Sequence, residues 1–156
     1  MFVQPEHPGM IAQTIQLALA PVFVLVAIGN IMNILTTRLG RMVDRSRHLQ
    51  MLHAGTRGSE HDAVVIEMRH IDRRIAHIGR ALLLLVLSGL AVGSTVGALF
   101  FSELAATDLR LLTAGTFLLA ITLLMGALVL LLLETRLAAR TLRLPPALLE
   151  LERGDL

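Results

Sequence analysis

Three long stretches of the chain carry no charged residue and alternate with polar segments. They are residues 17–35, 81–101 and 111–133, and the first extends to about residue 11 if an interfacial turn is included. Each has at least 19 residues. An α-helix of that length, rising about 1.5 Å per residue, crosses a hydrocarbon core of roughly 30 Å. The pattern predicts an all-α membrane protein with three transmembrane helices in one domain, residues 1–156.

The segment between the first two spans, residues 36–80, is polar but keeps a helical pattern. Apolar residues recur every three or four positions on both sides of a Gly- and Ser-containing connection at residues 54–60. Two such stripes joined by a turn predict a cytosolic antiparallel coiled-coil hairpin, with arms of roughly 35 Å, continuous with the flanking spans. The stripes are Met32, Leu35, Leu39, Met42 and Leu49, then Val64, Met68, Ile71, Ile75, Ile78, Leu82 and Leu85.

Arginine is distributed unevenly, and this predicts the orientation. Residues 36–80 hold nine of the fourteen arginines, residues 134–156 hold four, and the segment before the first span holds none. Because basic residues near spans stay in the cytoplasm, we expect a multi-pass protein of the bacterial inner membrane, with its N-terminus outside and its C-terminal tail inside. The basic cytosolic surface comprises Arg38, Arg41, Arg45, Arg47, Arg73, Arg74, Arg80, Arg136, Arg140 and Arg143.

This basic surface has two interpretations. It offers a site for anionic lipid headgroups or an acidic partner, or it serves only to orient the spans. The hairpin contains no aromatic residue, so nucleic-acid recognition by base stacking is disfavoured. Acids within the hairpin are expected to pair locally with arginines. These pairings are Asp44 with Arg41 or Arg45, and Asp72 with Arg69.

Two sets of residues within the spans stand out. Asn30, Asn33 and Thr37 lie on one helical face, which either lines a polar groove, bonds to a neighbouring helix or lies near the headgroups. The second span carries a run of small residues that favours close helix packing, either between copies or within one chain. This run consists of Gly89, Gly93 and Gly97.

Chemical motifs are lacking in the sequence. The chain has no Cys, which excludes disulfides and thiolate chemistry. It has no nucleotide-binding glycine motif, no nucleophile elbow and no HExxH. Of the six histidines, His53 and His61 flank the predicted turn, and we interpret all as solvated side chains. The sequence therefore predicts no catalytic residue, no metal site and no cofactor.

The stretch from Asn33 to Leu49 resembles the core of a small family of bacterial inner-membrane proteins known as a domain of unknown function. The resemblance rests on an R-x-x-R-x-x-D-R-x-R motif beginning at Arg38, and on Arg73-Arg74 and Arg80 before a leucine-rich second span. It covers about residues 11–137 and implies fold and topology without assigning an activity.

The order of parts is also similar to that of minimal three-span insertases of the YidC-like superfamily. That similarity implies a cytosolic coiled coil between the first two spans and a polar groove, here lined by the Asn30 face. Two functions remain open. One is a non-enzymatic scaffold or accessory subunit that forms homo- or hetero-oligomers, and the other is an insertase-like or channel-like protein.

Overall fold

The computed structural model describes the backbone of residues 8–141 and the side chains of residues 15–136. That part of the chain forms three helices and no strand, α1 (Pro8–His53), α2 (Ser59–Leu104) and α3 (Arg110–Thr141). All three are long enough and apolar enough to cross a membrane. The prediction of an all-α protein with three membrane-spanning helices is confirmed. The chain termini, with the side chains of Arg140 and Arg143, lie outside the described residues.

The first two helices are longer than a membrane crossing and meet at a tight turn. Each has 46 residues, so each is about 68 Å long. The carbonyl oxygen of Leu52 accepts hydrogen bonds from the backbone N–H groups of Gly55 and Thr56, at 3.0 and 3.1 Å. Gly58 then adopts φ +67°, a conformation that favours glycine, before α2 begins. The connection predicted at residues 54–60 lies at residues 54–58 in the structure, because α2 already begins at Ser59.

Helix α2 is the central element, because it packs against both α1 and α3, whereas α1 and α3 make few contacts with each other. Most of the buried residues on the three helices recur every seven positions, a spacing typical of long packed helices. On α1 they are Ile28, Leu35 and Leu49; on α2, Ile71, Ile78, Leu85 and Val92 with Ala81, Ser88 and Thr95; and on α3, Ala120, Ala127 and Glu134. The stripes predicted from the sequence contribute to this core.

The contact between α2 and α3 uses small side chains. Ser88 donates a buried hydrogen bond of 2.8 Å to the carbonyl oxygen of Ala120, and Thr95 and Thr116 join their hydroxyl groups at 2.9 Å. Ala81 and Ala127 are each about 1% exposed. Small residues let two helix backbones approach closely in lipid, and hydroxyl groups then bond across the contact.

Substitution of a buried leucine of α2 should show that this packing, rather than hydrophobicity alone, stabilises the fold. Leu85 is fully buried, whereas Leu83 is 59% exposed. We expect Leu85→Ala to lower the free energy of unfolding by about 2 kcal/mol, at the low end of the range for core truncations because lipid is itself apolar. Leu83→Ala should change it by less than about 0.5 kcal/mol. Reversible unfolding in mixed micelles measures both variants. An equal loss of unfolding free energy in the two would contradict the assigned packing.

Candidate functional site: an ionic layer and the uncovered helix faces

Three charged residues, one from each helix, meet at a single level of the bundle. Oε1 of Glu134 on α3 accepts hydrogen bonds from Nε and Nη2 of Arg74 on α2, at 3.2 and 2.9 Å. The other carboxylate oxygen of Glu134, Oε2, lies 3.2 Å from Nη1 of Arg38 on α1. We call this set of residues, Arg38, Arg74 and Glu134, the ionic layer. It is the one place in the described bundle where an ion pair joins α3 to the other helices.

Two of the three residues of the ionic layer occupy positions that continue the buried seven-residue repeat. Glu134 follows Ala120 and Ala127 on α3, and Arg74 precedes Ala81 and Ser88 on α2. The same packing that buries small residues deeper in the bundle therefore directs these charged side chains towards one another. The layer lies about 32 Å along α1 from Leu17, which places it at the boundary of the apolar region.

Burial differs sharply among the three side chains. The side chain of Glu134 is 3% exposed, whereas those of Arg38 and Arg74 are 28% and 35% exposed. A buried carboxylate needs nearby positive charge and hydrogen-bond donors to offset its lost hydration. Arg74 supplies both, and Arg38 adds charge at a distance suited to an ion pair but without hydrogen-bond geometry to Oε2. The layer carries a formal charge of +1 and leaves the cationic groups partly open to their surroundings.

A second ion pair lies one heptad closer to the turn on both helices. Arg45 donates from Nε and NH2 to the two carboxylate oxygens of Glu67, at 2.8 and 3.0 Å. The expected pairing of Asp44 with Arg41 or Arg45 is wrong, because Asp44 makes no ion pair with a described arginine. Adjacent residues on a helix point in different directions, and Glu67 faces Arg45 from α2. Asp72 likewise makes no ion pair with Arg69 in the described structure.

The remaining described arginines of the predicted basic surface lie on the outside of the helices and make no ion pair with a described acid. Arg38, Arg45 and Arg74 therefore differ from them, because their charges are directed at Glu134 or Glu67. The exposed group consists of Arg41, Arg47, Arg73, Arg80 and Arg136.

The polar face of α1 points away from the bundle. Asn30, Asn33 and Thr37 are all exposed. The Thr37 hydroxyl donates to the carbonyl oxygen of Asn33 at 2.9 Å, but neither asparagine side chain hydrogen-bonds to any group described. All three residues lie on the outer surface of α1, and neither cavity found among the described residues includes them.

The glycine run of α2 is also largely uncovered. Among the described residues, a Cβ atom added at Gly93 or Gly97 would meet no atom within 4 Å, and one at Gly89 would meet only Leu25, at 3.9 Å. Within the chain, α2 and α3 pack closely through Ala81, Ser88 and the alanines of α3, and not through the glycines that the sequence suggested for this role. Packing within the chain therefore does not explain Gly93 and Gly97.

A cavity of about 570 Å³ lies at the end of the bundle opposite the turn and is lined by all three helices. Its walls are mainly apolar, and among the described residues that line it only Glu103 and Arg110 are ionisable. It provides space for an acyl chain but brings together no group of side chains suited to catalysis. The lining includes Leu17 and Pro21 from α1, Leu99 from α2 and Phe117 from α3.

The sequence interpretation missed Glu134, because it is the first charged residue after the third span and was counted as part of the tail. Two signals identify it. Glu134 continues the repeat of Ala120 and Ala127, and both Arg38 and Arg74 lie at inward-facing positions of their own helices.

These features define a multi-pass membrane protein of three long helices, each of which contributes one residue to the ionic layer. Residues 18–144 match the family described as "Protein of unknown function (DUF2721)", and the chain belongs to this family. The expected membership of an uncharacterised family is confirmed. Comparisons with curated proteins and with solved structures find no match, and the likeness to YidC-like insertases gains no support from them.

Neutralising the buried glutamate should destabilise the protein more than neutralising its exposed counterpart. Glu134→Gln removes the charge that compensates Arg38 and Arg74, and we expect it to cost about 1–3 kcal/mol of unfolding free energy. Glu67→Gln is the matched control, since Glu67 also bonds one arginine through two contacts but is 44% exposed. It should cost less than about 1 kcal/mol. Thermal unfolding in detergent micelles compares the two.

A charge exchange separates electrostatics from shape in the same experiment. The double variant Arg74→Glu/Glu134→Arg keeps two arginines and one glutamate in the ionic layer. It should recover part of the stability that Glu134→Gln loses. If Glu134→Gln and Glu67→Gln unfold at the same temperature and the charge exchange recovers no stability, the ionic layer makes no specific contribution to stability.

Proposed function

We propose that this protein is a non-enzymatic membrane scaffold or accessory subunit that assembles with copies of itself or with another membrane protein. The observation that carries the proposal is the open space beside Gly93 and Gly97 on α2. Helices associate in lipid by close packing, because lipid tails are as apolar as leucine and give no hydrophobic drive. Two uncovered glycines one turn apart offer a surface where a second helix can approach closely.

The unpartnered amides of α1 support the same proposal from a different helix. Asn30 and Asn33 lie about 12 and 8 Å from Arg38 along the helix, on the side of the apolar span. Amide groups at this depth gain from hydrogen bonds to another helix, and neither amide finds such a bond within the described chain. A partner helix that covers them would satisfy groups that the chain's own helices leave free.

We further assign residues 36–80 to an antiparallel coiled coil that projects into the cytoplasm. Support comes from the burial of Leu49 and Ile71 at the seven-residue spacing and from the Arg45–Glu67 pair between the arms. The arginine excess of this segment supports the cytoplasmic orientation, with the N-terminus outside, in a bacterial inner membrane. A projecting hairpin gives a scaffold a second surface on which partners can dock.

The exposed arginines near the ionic layer favour anionic lipid headgroups as a further partner. Arg41 and Arg73 lie within about 5 Å of the layer along their helices, and Arg80 lies about 9 Å towards the membrane. Arginines at this level reach the headgroup region with their long side chains. Nucleic acid remains a poor candidate because this segment contains no aromatic residue for stacking.

An insertase-like or channel-like protein is the second candidate, and the exposed Asn30 and Asn33 favour it. Polar groups at this depth can line a water-filled path if a second copy closes it. Two features weigh against this candidate. The asparagines face outward rather than between the chain's own helices, and Arg38, the cation nearest to them on α1, is directed at Glu134.

The assembly proposal predicts that a bulky residue at Gly93 separates the subunits without harming the fold. No atom of the part of the chain that the structure describes lies within 4 Å of a Cβ at Gly93, so Gly93→Leu should leave thermal unfolding of the isolated chain unchanged. Energy transfer between donor- and acceptor-labelled copies in liposomes should fall to the level of random mixing. If a foreign subunit is the partner, Gly93→Leu should instead abolish its co-purification.

Gly126→Leu provides the control for that experiment. A Cβ at Gly126 meets Cδ1 of Leu84 at 3.4 Å, so a leucine there disturbs the contact between α2 and α3. We expect this variant to unfold at lower temperature. If Gly93→Leu keeps both the energy transfer and the bound proteins of the wild type, the glycine face is not an assembly surface.

Single cysteines at Asn30 and Asn33 should distinguish the two candidate functions, because the chain has no other cysteine. A scaffold contact excludes water, so Asn30→Cys should react slowly with a membrane-impermeant thiol reagent applied in native membranes. A water-filled path makes it react quickly. A cysteine at Gln50, an exposed position of the projecting hairpin, supplies the rate of an accessible site. Fast labelling of Asn30→Cys, equal to that control, would favour the channel-like function.

A further inference from the structure

The turn between α1 and α2 brings two histidine rings into contact. His53 is the last residue of α1 and His61 lies in the first turn of α2. Their ring centroids are 4.3 Å apart, and the ring planes are tilted by 50°. Along α1, this pair lies about 22 Å from Arg38, so it is separate from the ionic layer and from the uncovered faces within the spans.

Two polar atoms of this part of the chain, one in the pair itself and one in the turn, are buried without a hydrogen-bond partner. They are Nδ1 of His61 and Oγ1 of Thr56. Buried polar atoms are nearly always paired, and an unpaired one costs about 1–3 kcal/mol. The backbone of the turn is held in place near Thr56, because the N–H of Thr56 donates a hydrogen bond to the carbonyl oxygen of Leu52. A small polar ligand bound at the turn would satisfy them.

We propose that His53 and His61 bind a divalent transition-metal ion at the turn, with Thr56 beside it. Neutral imidazole is a preferred ligand of Zn²⁺, Ni²⁺ and Cu²⁺. Zn–N bonds are about 2.0–2.1 Å, so two imidazoles on one ion hold their ring centroids roughly 4.5–5 Å apart. The observed separation of 4.3 Å needs only a small rotation of the rings to reach that arrangement.

The chain supplies an incomplete coordination shell, and this defines the kind of site. No third His, Asp or Glu joins the pair among the described side chains. Water or the same histidines of a second copy complete the shell, so the ion exchanges readily, unlike the ion of a closed structural site with four protein ligands. When bound, it connects the end of α1 to the start of α2 and fixes the tip of the projecting segment.

The test uses the full-length protein in nanodiscs, purified without a polyhistidine tag, and Cu²⁺ as the probe. Electron paramagnetic resonance should show at least two coordinating nitrogen atoms, with one ion per chain or one ion per two chains. His53→Ala and His61→Ala should each weaken Cu²⁺ binding by at least about tenfold, since each removes a ligand. His48→Ala, at an exposed position of α1, is the matched control and should bind like the wild type.

Loss of binding counts only for a folded variant, so thermal unfolding is measured on each protein. His53→Ala removes an exposed side chain and should fold normally even if His61→Ala does not. Equal Cu²⁺ affinity in the wild type and in His53→Ala would overturn the proposal. A spectrum without histidine nitrogen would do the same, and the two buried atoms would then be assigned to bound water.

Discussion

The rest of the structure depends on one interaction, the enclosure of Glu134 by Arg38 and Arg74. Helices α1 and α3 have few other contacts with each other, and this carboxylate of α3 joins its helix to both α1 and α2 at one level. A shift of any helix by one residue would move its charged group by about 1.5 Å and rotate it by about 100°. Because Glu134 is almost fully buried, such a shift leaves a charge without a partner. The ionic layer thus fixes the register of the bundle, the best-supported role of buried charges in helical proteins.

This fixed register explains why some residues of the spans are left uncovered. With Arg74 directed at Glu134, the same side of α2 presents Ala81 and Ser88 to the alanines of α3. Gly93 and Gly97 then lie on the outer surface of α2 and Asn30 on that of α1. The proposed scaffold function follows from this arrangement. The chain completes its own core with small residues and ion pairs, and it leaves close-packing and polar positions for another helix.

The fold was largely predictable because a membrane imposes simple requirements. Charge-free stretches of sufficient length identify the spans, and Leu49 and Ile71 belong to apolar stripes that continue the helices beyond them. The site was less predictable, because ion pairs between helices depend on relative rotation. Asp44 is adjacent to Arg45 in sequence, yet the partner of Arg45 in space is Glu67. Likewise, the spacing of Gly93 and Gly97 identifies a close-packing surface but does not reveal whether the chain itself covers it.

The central claim is that the uncovered faces of this bundle are covered by a partner in the membrane. The most direct test is the native mass of the wild-type protein, extracted with its surrounding lipid and measured together with every protein that accompanies it. The account predicts a defined complex, either a closed set of identical chains or a fixed ratio of this chain to a second membrane protein. A single chain of 17.0 kDa accompanied only by lipid would contradict it.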